Sequence, residues 1–117
     1  DFFEDIYKKE LFPLDVLILG MGNDGHTASL FPNNIKLKES LETLNKICIC
    51  MKPDTAPYER MSLTKTAILS ASNIYLHFEG VEKQNVYKKV LEGANSNDMP
   101  ISAILNQDKK KIEVYYK

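Results

Sequence analysis

Residues 15–19, DVLIL, run without a break into GMGNDG at residues 20–25. No other stretch narrows the choice of folds as far. A short apolar run with β-branched members that stops at glycine reads as a strand buried on both faces, the kind found in parallel sheets. Gly20, Gly22 and Gly25 then make a tight loop at the C-terminal end of that strand, where ligands bind in open α/β sheets.

The remaining periodicities support the same layering. Phe2, Phe3, Ile6, Tyr7 and Leu11 recur at helical spacing ahead of Pro13, which predicts a first helix. Leu37, Leu41 and Leu44 predict a helix over residues 36–44, and residues 46–51 a strand. Residues 52–58, with two prolines, form a loop, and residues 60–63 a brief strand. Thr64 is placed to cap a helix running to about Ala71. Residues 74–78 read as a third apolar strand that stops at Gly80. Residues 81–92 are the clearest helix, with Val86, Tyr87, Val90 and Leu91 on one face and Gly93 as C-terminal cap. A short helix over 101–105 and an edge strand over 112–116 complete the order. Strands alternating with helices imply an α/β fold with a mostly parallel sheet flanked by helices.

Composition matters mainly for what it excludes. The chain has 117 residues, 44% of them apolar, enough for one domain with its own core. A net charge of −1 gives no electrostatic case for nucleic acid or an anionic membrane. No apolar run approaches the length of a membrane span. The basic run Lys109, Lys110 and Lys111 reads as a solvated turn. Cys48 and Cys50 lie along one strand, a poor geometry for a disulfide, and read as buried thiols in a reducing cytosol. The chain opens on Asp1 without Met, which suggests a fragment or a processed product.

Gly20, Gly22 and Gly25 spell G-x-G-x-x-G after a strand, a pattern shared with dinucleotide sites. The long helix such a site needs is cut short by Pro32, and Asp54 lies too far on, in a proline-bearing loop, to bind a ribose. What distinguishes this loop is Asp24 and His26, two apart with a glycine between. A histidine there can serve as a general base near neutral pH, and the carboxylate can orient it. Bare backbone N–H groups around Gly22 to Gly25 could meet an anion. With few other ligand residues nearby, no metal is implied.

The wider pattern, LILGMGNDGHTASLFP, closely resembles the signature of 6-phosphogluconolactonases. ERMSLT at residues 59–64, HFEGVEKQNVYKKVLEG at 77–93 and PISAI at 100–104 are similar to further segments of that family, in the same order. The resemblance implies a Rossmann-like (NagB/RpiA/CoA-transferase-like) fold and hydrolysis of 6-phosphogluconolactone in the oxidative pentose phosphate pathway, in the cytoplasm and without a cofactor. His26 would be the base, Asp24 its partner, and Lys83 and Arg60 contacts to the substrate or its phosphate. If the strand of Arg60 ran parallel to the others, that residue would start it and lie at the far edge. Glucosamine-6-phosphate deaminases share the histidine loop, but their loop carries a glutamate where Phe31 stands here.

One departure from the family is large. The S-G-G-[ST]-x phosphate loop and the D-E-R motif of the family's N-terminal half are absent from these 117 residues. Residues 1–117 therefore read as the C-terminal portion of a single lactonase-like domain, with a sheet incomplete at the N-terminus. A different class of function is then also open: a non-catalytic sugar-phosphate-binding or interaction domain of a larger polypeptide, for example one fused to glucose-6-phosphate dehydrogenase.

Overall fold

The computed structural model describes residues 5, 9–53 and 58–117. Phe2, Phe3, Ile6 and Tyr7, on which the first helix is expected, fall outside the described residues. The elements in chain order are β1 (Val16–Leu19), α1 (Leu37–Glu42), β2 (Cys48–Met51), β3 (Arg60–Leu63), α2 (Lys65–Leu69), β4 (Asn73–Phe78), α3 (Val81–Leu91), α4 (Ile101–Leu105) and β5 (Ile112–Tyr116). The main sheet has the order β1-β4-β5 and is parallel throughout. β2 and β3 form a separate antiparallel pair.

Register decides which side chains face the core. Leu17 pairs with Ile74 and Leu19 with Leu76, and Leu76 pairs in turn with Val114. These residues, with Phe78 and Ile112, form the inner face. Against it pack Val86 and Val90 of α3, Ile101 and Ile104 of α4, Ile68 of α2, Leu37 of α1, and Ile49 and Met51 of β2. Leu76, Ile68, Val90, Ile101 and Ile104 are fully buried.

Several local expectations hold because the chemistry is local. Thr64 caps α2, its hydroxyl accepting from the amide of Ala67 at 3.2 Å. α3 ends at Leu91, and Gly93 takes φ +98°, a conformation that glycine adopts without strain. β5 lies at an edge of the described sheet.

Others are corrected. β1 is not buried on both faces: Val16 is 54% and Ile18 69% exposed. Their row continues across Tyr75 and Glu113, so one face of the parallel sheet stays open among the described residues. α1 stops at Glu42, which leaves Leu44 exposed, and Leu91 turns outward at the end of α3. β2 starts at Cys48, two residues later than expected, and α2 ends at Leu69. The alternation of β2 directs Ile49 and Met51 inward, so Cys50 is exposed and Cys48 only half-buried, not the buried thiols expected. Lys110 is not simply solvated, since its ammonium donates to the carbonyl of Ala71 at 3.1 Å.

The contrast between the two faces is measurable. Leu76→Ala, on the central strand, should destabilise the chain by about 2–5 kcal/mol, whereas Ile18→Thr should fall within about 0.5 kcal/mol of wild type. Urea denaturation of the two variants checks this, and equal losses would mean that the outer face is covered.

Candidate active site

The parallel register brings the loops after β1 and β4 out at the same end of the sheet. Within the first loop the amide of Gly25 donates to the carbonyl of Gly22 at 3.0 Å, closing a turn over residues 22–25. The amide of Gly22 donates to the carbonyl of His26 at 2.9 Å. Both amides are thereby occupied inside the loop, which corrects the expectation that Gly22 and Gly25 offer bare donors to an anion.

The glycines are needed for space instead. A Cβ on Gly22 would collide with Nδ1 and Cε1 of the His26 ring and stand 2.8 Å from Oδ1 of Asp24. Gly25 has φ +86°, and a Cβ there would lie 2.8 Å from the Met99 side chain. The amide of Ile101 donates to the Gly25 carbonyl at 2.9 Å, tying the loop to the start of α4. Thr27, fully buried, donates its hydroxyl to the carbonyl of Gly20 at 2.8 Å and closes the loop at its base. The next residue, Ala28, takes a left-handed φ of 51°.

Asp24 and His26 form a tight pair. Oδ1 of Asp24 lies 2.6 Å from Nδ1 of the ring and accepts from the His26 amide at 3.0 Å. Burial works to raise the Asp24 pKa, but the hydrogen bonds from the His26 amide and ring, with the ring's charge, outweigh it and hold the carboxyl below its ordinary 3.8. An ionised carboxylate can only accept, so in the neutral ring Nδ1 carries the proton and the lone pair is left on Nε2. Nε2 has no partner among the described residues.

A cleft of about 340 Å³ opens in front of this pair, lined by Gly20, Met21, Gly22, His26, Thr27, Ala28 and Lys83. That volume is in the range of small-molecule sites. Lys83, half-buried in the first turn of α3, has no acidic partner among the described residues. α3 begins at Gly80, which supplies no side-chain cap, so its first amides face outward without a side-chain acceptor.

The structure therefore brings His26, Gly22 and Lys83 together in one cleft, with Asp24 bonded to the side of the ring. Gly25 sits behind the loop against Met99. Arg60 does not line the cleft. β3 runs antiparallel to β2, so Arg60 is not stranded at the far edge. Its guanidinium lies 5.7 Å from the centroid of the Phe31 ring, and that ring lies 5.2 Å from the His26 ring. Among the described residues no group of three His, Cys, Asp or Glu side chains is placed to hold a metal ion.

Sequence reasoning missed three contributors. Thr27 and Ala28 line the cleft from within the motif, and only the loop's path shows it. Ser62 accepts from the amide of Ser29 at 3.1 Å, a contact across 33 residues that no local pattern signals.

A parallel sheet covered on one side among the described residues, with a carboxylate–histidine pair in the loop after β1, defines an α/β protein with a candidate site at the C-terminal ends of its strands. The chain belongs to the family described as glucosamine-6-phosphate isomerases/6-phosphogluconolactonase, whose profile matches residues 2–114. It is 38% identical over 103 residues to a 6-phosphogluconolactonase of Neisseria meningitidis serogroup B, covering 87% of this chain and 44% of that one. It is 42% identical over 100 residues to one of Helicobacter pylori, covering 85% of this chain and 42% of that one. A crystal structure of a 6-phosphogluconolactonase from Shewanella baltica superposes with a TM-score of 0.86 at 42% identity, over 96% of this chain and 49% of that one. The chain thus spans somewhat under half the length of these curated relatives. No described helix is long and apolar enough to cross a membrane.

Two outcomes follow from the pair. Gly22→Ala should displace the His26 ring and break its bond to Asp24, seen as loss of the downfield Nδ1 proton signal in NMR spectra, with the fold retained. A carboxyl with a lowered folded pKa stabilises the native state above its unfolded pKa, and that contribution is lost as pH falls through the folded value. Wild type should therefore exceed Asp24→Asn in stability above about pH 4 and converge with it in stronger acid, by a small amount because Asp24 is half exposed. Denaturant titrations at stepped pH measure this, and an offset independent of pH would rule it out.

Proposed function

We propose that the protein carrying this sequence hydrolyses 6-phosphogluconolactone to 6-phosphogluconate. The observation that carries the reading is the single cleft shared by His26 and Lys83, with Asp24 fixed on the ring's far nitrogen. The family and the named relatives support the substrate class; the cleft supplies groups suited to both ends of such a molecule.

At the reacting end, Nε2 of His26 takes a proton from water as the water oxygen attacks the lactone carbonyl. The charge that develops on the ring is balanced by the Asp24 carboxylate, already ionised and 2.6 Å away. The tetrahedral intermediate then collapses, the bond to the ring oxygen breaks, and the imidazolium returns its proton to that oxygen. The alkoxide remains tethered to the product, so no covalent bond to the protein is required.

At the other end, the Lys83 ammonium and the open first turn of α3 suit a phosphate. A cation in the first turn is disfavoured by the helix dipole until an anion binds there, and a phosphate makes use of both. Arg60, over the ring of Phe31, which in turn packs on His26, adds a further cation near the pair. Neither the half-buried Cys48 nor the exposed Cys50 is in a disulfide, which suits a reducing cytosol.

Phe31 separates this reading from amino-sugar deamination. Its ring packs on His26 where a deaminase loop would offer a carboxylate, and a phenyl ring neither takes nor gives a proton.

His26→Ala should lower turnover on 6-phosphogluconolactone by about 10²–10⁴-fold while leaving binding of 6-phosphogluconate largely intact. Wild type should release no ammonia from glucosamine 6-phosphate. Stopped-flow acid release and an ammonia assay make the comparison. A His26→Ala enzyme within twofold of wild type would remove His26 as the base, and ammonia release at a comparable rate would place the protein on the deaminase branch.

A further inference from the structure

The two ends of the cleft belong to different elements, and something must fix the distance between them. His26 rides on the turn after β1, Lys83 on the first turn of α3. The turn is rigid within itself and is tied at its base and to the start of α4. Toward α3 it makes one hydrogen bond among the described residues: Nδ2 of Asn23 donates to Oε2 of Glu82 at 2.7 Å. Asn23 is at a corner of the turn that ends on Gly25, three residues before His26. Glu82 is the residue immediately before Lys83.

We infer that Asn23 and Glu82 are positioning residues that set the span between Lys83 and His26, and so select ligands whose anionic group and reacting carbon match that span. This rests on the lactonase reading for the identity of the ligand, though the clamp itself does not. Three observations support it. The bond has a charged acceptor and is short, the stronger class of hydrogen bond. Both side chains are exposed, so the contact adds little to folding, and its effect is on placement. The bond also engages the one carboxylate next in sequence to Lys83, holding an oxygen of Glu82 on Asn23 rather than leaving it mobile beside a bound anion.

A spacing device and a merely structural contact behave differently toward ligands of different length. An anion that touches only Lys83 is indifferent to the distance from Lys83 to His26. A ligand that must reach both is sensitive to it. Asn23→Ala should therefore leave the Kd for inorganic phosphate within about twofold and weaken 6-phosphogluconate by about five- to tenfold, the scale of one lost hydrogen bond. KM for the phosphorylated lactone should rise in the same proportion, with kcat within about twofold, because Asn23 touches neither the base nor the water it activates.

The experiment is a double-mutant cycle on Asn23→Ala and Glu82→Ala, read by calorimetric titration of both ligands, by steady-state kinetics, and by amide exchange at Gly25 and His26. Each single variant should raise exchange at those amides and weaken the longer ligand, and the double variant should be no worse than the poorer single. Glu82→Gln keeps an oxygen that accepts from Asn23 and should restore near-wild-type exchange and span. Additive losses, equal weakening of phosphate and 6-phosphogluconate, or Asn23→Ala exchange equal to wild type would each overturn the clamp. A wild-type protein with no lactonase activity would instead overturn the functional reading, and the exchange cycle would still decide on the clamp.

Discussion

The parallel pairing of β1 with β4 is the constraint on which the site depends. With Leu19 opposite Leu76, the chain leaves both strands at the same end of the sheet. The loop after β1 carries the histidine, and the helix after β4 carries the lysine. Were the pair antiparallel, the two loops would lie at opposite ends and no small ligand could touch both. What holds the register is burial: a slip of one residue would move Leu17, Leu19, Ile74 and Leu76 to the open face and bring Val16, Ile18 and Tyr75 inside. The inner set meets α2, α3 and α4, and the outer set does not.

On that frame the loop performs a task of close packing. The His26 ring lies against the Cα of Gly22, and Asp24 reaches the ring and the His26 amide with one oxygen. A chain of contacts then leads outward, from His26 to Phe31 and from Phe31 to Arg60. The imidazole is thus held on one edge by a carboxylate and on one face by an aromatic ring. Such support fixes which nitrogen is free, and this matters more for a base than its average exposure. The same loop spends the amides of Gly22 and Gly25 on closing the turn.

The sheet is covered on one side only among the described residues, and parallel sheets are ordinarily covered on both. Val16, Ile18 and Tyr115 together present apolar surface on the open side. The relatives' greater length is in keeping with that asymmetry.

Much was legible in the order of residues alone. The alternation of strands and helices, the cap at Thr64, the stop at Gly93 and the D-x-H pair in a glycine loop all follow from spacing or from short-range hydrogen bonds. A motif over residues 17–32 also carried the family, because steric demands at Gly22 and Gly25 leave little choice of residue. Burial of β1 was misjudged because an apolar run does not reveal whether anything covers its second face. The amides of Gly22 and Gly25 were misjudged because a sequence shows a donor but not the acceptor that already holds it. Arg60 met Phe31, and Asn23 met Glu82, across separations of 29 and 59 residues that no period encodes. The sequence by itself determined the elements and the Asp24–His26 pair, since neighbours along the chain settle these through local sterics and hydrogen bonding. Only the tertiary structure decided what faces the pair across the cleft, because that depends on strand direction and register, which burial of the whole inner face selects at once.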